Sequence, residues 1–115
     1  MIKLQKLSQS ELDERINSGT KDLSNLDLSG LNFSYRDLCS VDFTNSNLSN
    51  ANLSYSNLSN AIFRSANLSN ADFGLSKIEN ADFFEADVSN VDFDGCNTRS
   101  AKWISGLGAL NERIK

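Results

Sequence analysis

The sequence predicts an all-β solenoid, a coil with four walls built from one short repeat. The chain has 115 residues, and every fifth residue from Leu28 to Phe93 is Leu, Phe, Ile or Val, fourteen times in succession. A period of five would scatter these residues around a helix and place them on alternating faces of a strand. The chain must therefore bend after each five-residue unit, so that the central residue of every unit turns inward.

The aromatic residues indicate how many units make one turn. From Phe33 onward they occupy every second centre, with Leu53 as the exception. A turn of two units fits this alternation, but ten residues could hardly enclose such side chains. A four-sided turn of twenty residues explains it better, because two opposite walls then carry the rings and the other two carry smaller residues. The predicted columns are Phe43–Phe63–Phe83–Trp103, Phe33–Leu53–Phe73–Phe93, Leu28–Leu48–Leu68–Val88 and Leu38–Leu58–Ile78–Thr98.

Units such as Ala51-Asn52-Leu53-Ser54-Tyr55 and Ala66-Asn67-Leu68-Ser69-Asn70 resemble the pentapeptide-repeat family, whose units read roughly Ala-(Asp/Asn)-(Leu/Phe)-X-X. The resemblance covers residues 21–105. It implies a right-handed quadrilateral β-helix of about four coils, with the centre and the residue two before it pointing inward. This sequence departs from the pattern toward its ends, at Arg36 in an inward slot, at Thr98 in a centre and at Lys102-Trp103.

Residues 1–20 are predicted to form an N-terminal segment with a capping helix. Ser8 and Glu11 are placed for a capping box, Leu7 and Leu12 for a hydrophobic staple, and Gly19 is a natural stop. The helix is expected over about Gln9–Ser18, docked on the first coil, because ten residues are too few for a stable isolated helix. Such a cap would cover unpaired backbone at the end of the stack.

Residues 106–115 are expected to form a C-terminal cap or tail. Leu107, Leu110 and Ile114 would share one face of a short helix, whereas Gly106 and Gly108 disfavour a helix there. Three alternatives stay open: this segment caps the last coil, pairs with another copy or frays.

Composition excludes several classes of function. The net charge of -4 and the pI near 4.7 argue against binding to nucleic acid or to an anionic membrane. No histidine is present, so the commonest general base and metal ligand are missing. The sequence therefore predicts neither an enzyme nor a cofactor. Ser and Asn together supply 33 residues, which we expect at outward and corner positions.

The two cysteines are predicted to be free thiols. Cys39 would face outward and Cys96 inward on the same wall, three coils and roughly 14 Å apart, which is too far for a disulfide. Free thiols favour a reducing setting. The first ten residues lack the apolar core of a secretory signal, and no stretch is long and apolar enough for a membrane span. We therefore expect a cytoplasmic protein.

Three outward groups are candidates for a partner-binding surface. The first is a column of Tyr35, Tyr55 and Leu75, spaced twenty residues apart, which either stabilises adjacent coils by stacking or binds a partner. The second is the wall group Ile62, Phe84 and Ile104, which suits oligomer contact, ordinary surface or cover by the C-terminal segment. The third is the acidic block Ala71–Gly95, interpreted as a solvated face or a binding site. Its wall-sharing carboxylates Asp72, Asp92 and Asp94 suggest a weak cation site at most.

Two functions follow as hypotheses. The first is a non-catalytic scaffold or protein-interaction module with an unknown protein partner, a monomer or a weak dimer through the C-terminal end. The alternative comes from the resemblance, because some family members mimic duplex DNA and bind DNA gyrase, conferring quinolone resistance. Charge argues against this alternative: about four coils would match roughly 12 phosphates, whereas residues 21–105 net only -5, and residues 44–63 carry no charge.

Overall fold

A computed structural model describes residues 3–103 of the chain. Along this range, residues twenty apart lie side by side in parallel ladders, such as Asp42 with Ile62 and Ile62 with Asp82. The named elements are strand β1 (Gln5–Lys6), helix α1 (Gln9–Asn17) and strand β2 (Leu26–Asp27). Elsewhere the described walls consist of one-residue bridges separated by turns. The ladder spacing confirms the twenty-residue turn expected from the aromatic alternation.

Backbone hydrogen bonds between coils repeat with the same period. The N–H of most central residues donates to a carbonyl nineteen residues later, as Phe43 does to Ile62 at 2.7 Å. The N–H of Ile62 in turn donates to the carbonyl of Val41 at 2.9 Å. Corner residues are paired as well, since the N–H of Asn45 donates to the carbonyl of Arg64 at 2.9 Å. Each wall is thus held to the neighbouring coils through more than one residue.

The predicted centres form the core. The fifteen centres from Leu23 to Phe93 are buried, and the rings of Phe63 lie 5.0 Å from those of both Phe43 and Phe83, in parallel stacks. Phe63 also meets Phe73 of the opposite wall edge-on at 5.5 Å. The alternation of ring and aliphatic walls therefore fills the interior with stacked and T-shaped pairs, both favourable for aromatic rings. Toward the end of the described chain Thr98 and Trp103 are only half-buried.

The expectation that Ser occupies outward and corner positions is wrong for three residues. Ser46, Ser56 and Ser76 lie in the inward slot two residues before a centre and are buried. The hydroxyl of Ser46 donates to the carbonyl of Leu23 at 2.6 Å, and that of Ser56 donates to the carbonyl of Phe33 at 2.6 Å. A small hydroxyl is tolerated there because the adjacent coil offers an acceptor, which removes the penalty of burying a polar group.

Helix α1 begins with the predicted capping box. The Ser8 hydroxyl accepts from the Glu11 N–H at 3.1 Å, and the Glu11 carboxylate accepts from the Ser8 N–H at 2.8 Å. Both predicted staple residues, Leu7 and Leu12, are fully buried in the core. The helix ends at Asn17, and Gly19 follows with a φ of 85°, as expected of a stop.

Three walls of the first coil have their outer backbone paired by the N-terminal segment. Strand β1 pairs with β2 in parallel on one wall. On the next, the Gln9 side-chain amide both donates to the carbonyl of Asn32 and accepts from its N–H, each at 2.8 Å. On a third wall, the Thr20 hydroxyl donates to the carbonyl of Asp22 and accepts from its N–H, each at 3.3 Å. The segment thus supplies the groups that another coil would supply.

Arg36 departs from the small inward residue of the repeat because it lies in the first coil. Its guanidinium pairs with the carboxylate of Asp13 on α1, so the long side chain reaches the helix rather than the interior. Both cysteines are free, as predicted. The predictions for residues 106–115 and for Ile104 lie outside the described residues.

Candidate functional site

The corners between walls carry the most informative outward residues. The last residue of each unit from Asn25 to Gly95 has φ between 57° and 78°, the left-handed region that favours Gly and Asn. Asn, Gly or Ser occupies most of these corners, but four hold larger side chains: Tyr35, Tyr55, Leu75 and Glu85. A large side chain in this conformation costs on the order of 1 kcal/mol. Three of the four stand in one column.

We call Tyr35, Tyr55 and Leu75 the Tyr column. The two tyrosine rings stack with centroids 4.7 Å apart and planes 5° from parallel, as the sequence predicted for the twenty-residue spacing. Yet the side chains are 75%, 50% and 55% exposed in that order. The column ends at Gly95, where a Cβ would lie 2.5 Å from Cδ2 of Leu75, so Leu75 extends over this glycine.

A groove runs beside the Tyr column, parallel to the coil axis. It is an open cavity of about 330 Å³. Its outer side is the Tyr column, and its floor is the neighbouring wall, where Asp37, Asn57 and Lys77 follow one another in register. We call this cavity the column groove.

Lys77 of the column groove breaks the repeat in a second way. The second residue of a unit is usually Asp or Asn, whose Oδ1 accepts the N–H two residues later, as Asn57 does from Ser59 at 3.1 Å. Among the described corners this bond is missing at Arg64 and Glu79, because Ile62 and Lys77 hold the slot. Sequence reasoning missed Lys77, although Lys in an Asp/Asn slot was a readable signal.

The predicted wall group of Ile62, Phe84 and Ile104 does not form an uncovered apolar patch within the described residues. Ile62 is half-buried and Phe84 is 44% exposed. The guanidinium of Arg64 lies 5.5 Å from the centre of the Phe84 ring and pairs with the Asp82 carboxylate at 2.6 Å. Phe84 is thus partly covered by a charged neighbour, and Ile104 falls outside the described range.

Two of the three carboxylates considered for a cation site, those of Asp72 and Asp92, are engaged in corner hydrogen bonds. Asp72 accepts from the Gly74 N–H at 2.8 Å, and Asp92 from the Asp94 N–H at 2.8 Å. Within residues 3–103, no three His, Cys, Asp or Glu side chains are grouped so that they could hold a metal ion. These carboxylates therefore serve the turns of the coil.

Cys96 carries the inward thiol, and burial is the main influence on its pKa. Burial raises the pKa of Cys96, and hydrogen bonding with Ser76 lowers it by a smaller amount. The thiol donates to the carbonyl of Phe73 at 2.9 Å, in the same manner as the inward serines. Cys96 thus substitutes for a serine of the inward slot.

Within residues 3–103 no helix has the length and apolar character needed to cross a bilayer.

Comparison with known proteins agrees with this architecture. The family model for pentapeptide repeats matches residues 42–79 in eight copies. A pentapeptide-repeat protein from the thylakoid lumen of Arabidopsis thaliana is 31% identical, with a TM-score of 0.68, over 78% of this chain and 59% of that one. This chain therefore spans less than two thirds of that plant protein. No curated protein sequence matches the chain.

Two further structures share the fold at lower identity. A pentapeptide-repeat protein from Nostoc PCC 7120 is 21% identical, with a TM-score of 0.55, over 99% of this chain and 98% of that one. QnrB1, a plasmid-mediated fluoroquinolone resistance protein, is 22% identical, with a TM-score of 0.58, over 87% of this chain and 48% of QnrB1. The likeness implies a right-handed quadrilateral β-helix. The five-residue period, the twenty-residue ladders and these matches together show that the chain is built from pentapeptide repeats, as the resemblance implied.

Proposed function

We propose that the protein is a non-catalytic scaffold that binds a protein partner through the Tyr column. The supporting observation is that three large, mostly apolar side chains stay at least half exposed at corners where the backbone favours Asn or Gly. Local strain of this kind is retained where it serves a function. Self-stacking accounts for the two tyrosines, but Leu75 joins no ring stack and is still 55% exposed.

A double variant tests this proposal. Tyr35→Asn with Tyr55→Asn removes the ring stack but places at both corners the residue that the left-handed backbone prefers. Because these two effects oppose each other, the variant is expected to stay folded. We expect it to lose the proteins that the parent captures from its native cell. Glu85→Asn is the matched control, because it changes the one large corner residue outside the column. Capture of the same proteins by parent and double variant would contradict the proposal.

Imitation of DNA toward gyrase is the alternative, suggested by the shared fold with a fluoroquinolone resistance protein. Such mimicry requires a continuous negative track along the coil axis. The ladder Asp27, Asn47, Asn67, Asp87 is uncharged in its middle, and the ladder Asp42, Ile62, Asp82, Lys102 is interrupted. We therefore expect no inhibition of gyrase supercoiling even in large molar excess. Potent, salt-sensitive inhibition would favour the alternative.

We further propose a reducing, cytoplasmic setting, because both thiols are free. A monomer, or a weak dimer through the C-terminal end of the coil, is the expected state, and sedimentation at several concentrations distinguishes the two.

A further inference from the structure

We propose that the column groove binds an extended segment of a partner protein in which an apolar side chain neighbours a single acidic side chain. The inference rests on the proposed interaction function and names the chemistry of the partner. The apolar side chain would pack on Leu75 and Tyr55, and the acidic one would pair with Lys77, at the same end of the groove.

Lys77 supplies the argument for an acidic group. It is exposed, and no carboxylate lies within 4 Å of its ammonium among the described residues. It is also the sole cation of residues 71–95, which contain seven carboxylates. Lysine in this slot forfeits the corner hydrogen bond to the Glu79 N–H, which an Asp or Asn would make. A cation that replaces a stabilising acceptor beside exposed apolar side chains is the pattern expected of a recognition residue.

Asp37 limits the negative charge that the groove accepts, because Arg36, the cation that lines the groove beside it, is already paired with the Asp13 carboxylate of α1. Asp37 lies on the same ladder as Lys77, two coils away, a separation of about 10 Å at the usual spacing of strands. A segment with acidic residues along its whole length would meet repulsion from Asp37, whereas one acid at the Lys77 end would not. A basic or neutral residue suits the Asp37 end.

The shape of the groove favours an extended chain. It follows three successive coils, lined on one side by Tyr35, Tyr55 and Leu75 and open to solvent. An extended segment rises about 3.3 Å per residue, so three or four residues span the two-coil distance. Tyrosines present an apolar body and a hydroxyl together, which suits contact with both side chains and backbone of a peptide.

The test is selection of a displayed random heptapeptide library on the full-length protein, followed by fluorescence anisotropy with the enriched peptides. A triple variant, Tyr35→Asn, Tyr55→Asn and Leu75→Asn, serves for counter-selection. Each peptide is then titrated against the parent, Lys77→Asn, Lys77→Arg and Lys102→Asn. Lys77→Asn restores the slot preference of the repeat, so unfolding does not explain a loss. Lys102→Asn makes the same change in the same slot on a different wall.

We expect enriched peptides with one acidic residue next to an apolar one. Their affinity should fall about tenfold or more with Lys77→Asn, because a charged hydrogen bond is lost, and should be retained with Lys77→Arg and Lys102→Asn. Peptides that need the tyrosines but bind Lys77→Asn equally well would overturn this inference and leave the interaction function standing. Absence of any peptide that depends on the Tyr column would overturn both. Self-association of the parent that Lys77→Asn abolishes would make a second copy the occupant, and would also overturn the inference.

Discussion

At the scale of single residues, most corners of the coil are closed by one short side chain. The Oδ1 atom of an Asp or Asn accepts the N–H two residues later, as Asp27 does from Ser29 at 3.1 Å and Asn67 from Ser69 at 3.0 Å. This local bond competes successfully with water because a short side chain loses little conformational entropy when it bonds within its own turn. Asp and Asn are interchangeable here, since both offer the same acceptor.

Replacing Lys77 with Asn is therefore expected to stabilise the fold. The new Oδ1 would accept the Glu79 N–H, adding about 0.5–1.5 kcal/mol to the free energy of unfolding, while an exposed lysine contributes little. Urea unfolding measures the difference. Asn57→Lys, in the same ladder one coil earlier, is the matched reversal and should destabilise by a similar amount. A destabilised Lys77→Asn would refute this account of the corner.

The aromatic core predicts a contrast between two nearby positions. Phe63 is fully buried and contacts three other rings, so Phe63→Ala should cost roughly 3–5 kcal/mol. Ser59 lies outside the core, and Ser59→Ala should stay within about 0.5 kcal/mol. Equal losses at the two sites, measured by chemical unfolding, would mean that the inward register is wrong.

At the scale of elements, the N-terminal segment pairs with outer backbone groups of the first coil. Its contribution is varied: β1 pairs as a strand, Gln9 uses a side-chain amide and Thr20 a hydroxyl. Helix α1 adds apolar cover through Leu12, which is fully buried. An uncovered coil would present unpaired backbone, the usual cause of edge-to-edge aggregation.

Deletion of residues 1–18 should therefore promote self-association. Size-exclusion chromatography with light scattering is expected to show species larger than a monomer, together with a lower melting temperature. The core would lose the buried side chains of Leu7 and Leu12, and the backbone of Asn32 would lose Gln9. A milder control is Gln9→Ala, which removes one cap and keeps the helix. A truncated protein that stays monomeric and melts like the parent would show that the segment is not a cap.

At the scale of the whole molecule, corner carboxylates link stability to pH. The Ser24 hydroxyl and amide hold the pKa of Asp22 below its usual value. Burial raises the pKa of Asp27, but hydrogen bonds from Ser29 and the charge of Lys6 outweigh it, and the net shift is downward. A pKa lower in the folded than in the unfolded state means that folding favours the ionised form. The resulting stability is fully present above about pH 4, the unfolded value of Asp, and is lost as the pH falls through the lowered folded values.

We thus expect the free energy of unfolding to fall as the pH drops below about 4, and urea titrations at successive pH values measure it. The double variant Asp22→Asn with Asp27→Asn keeps both Oδ1 acceptors but removes two titrating groups. It should lose less stability on acidification than the parent. An identical pH profile for both proteins would exclude these carboxylates as a source of the pH dependence.

The residues of the Tyr column could be predicted from the sequence, but the contacts that long side chains make around the candidate surfaces could not. The spacing of Tyr35 and Tyr55 predicts a stack, and the structure confirms it with a separation of 4.7 Å. The wall group was less predictable: a period reveals that Phe84 points outward, but not that Arg64 lies over its ring. Long, flexible side chains choose among several neighbours, and no repeat encodes that choice.

The sequence by itself determined the coil, because a five-residue period requires a bend after each unit and the size of the central side chains favours a turn of twenty residues over one of ten. It also located the capping box, because that motif closes within four residues. Only the tertiary structure decided which exceptions matter. The groove that unites Tyr35, Tyr55 and Leu75 with Lys77 is formed by residues on successive coils, about twenty apart in sequence. Contacts between coils depend on how each turn stacks on the next, and that stacking exists only once the whole chain has folded.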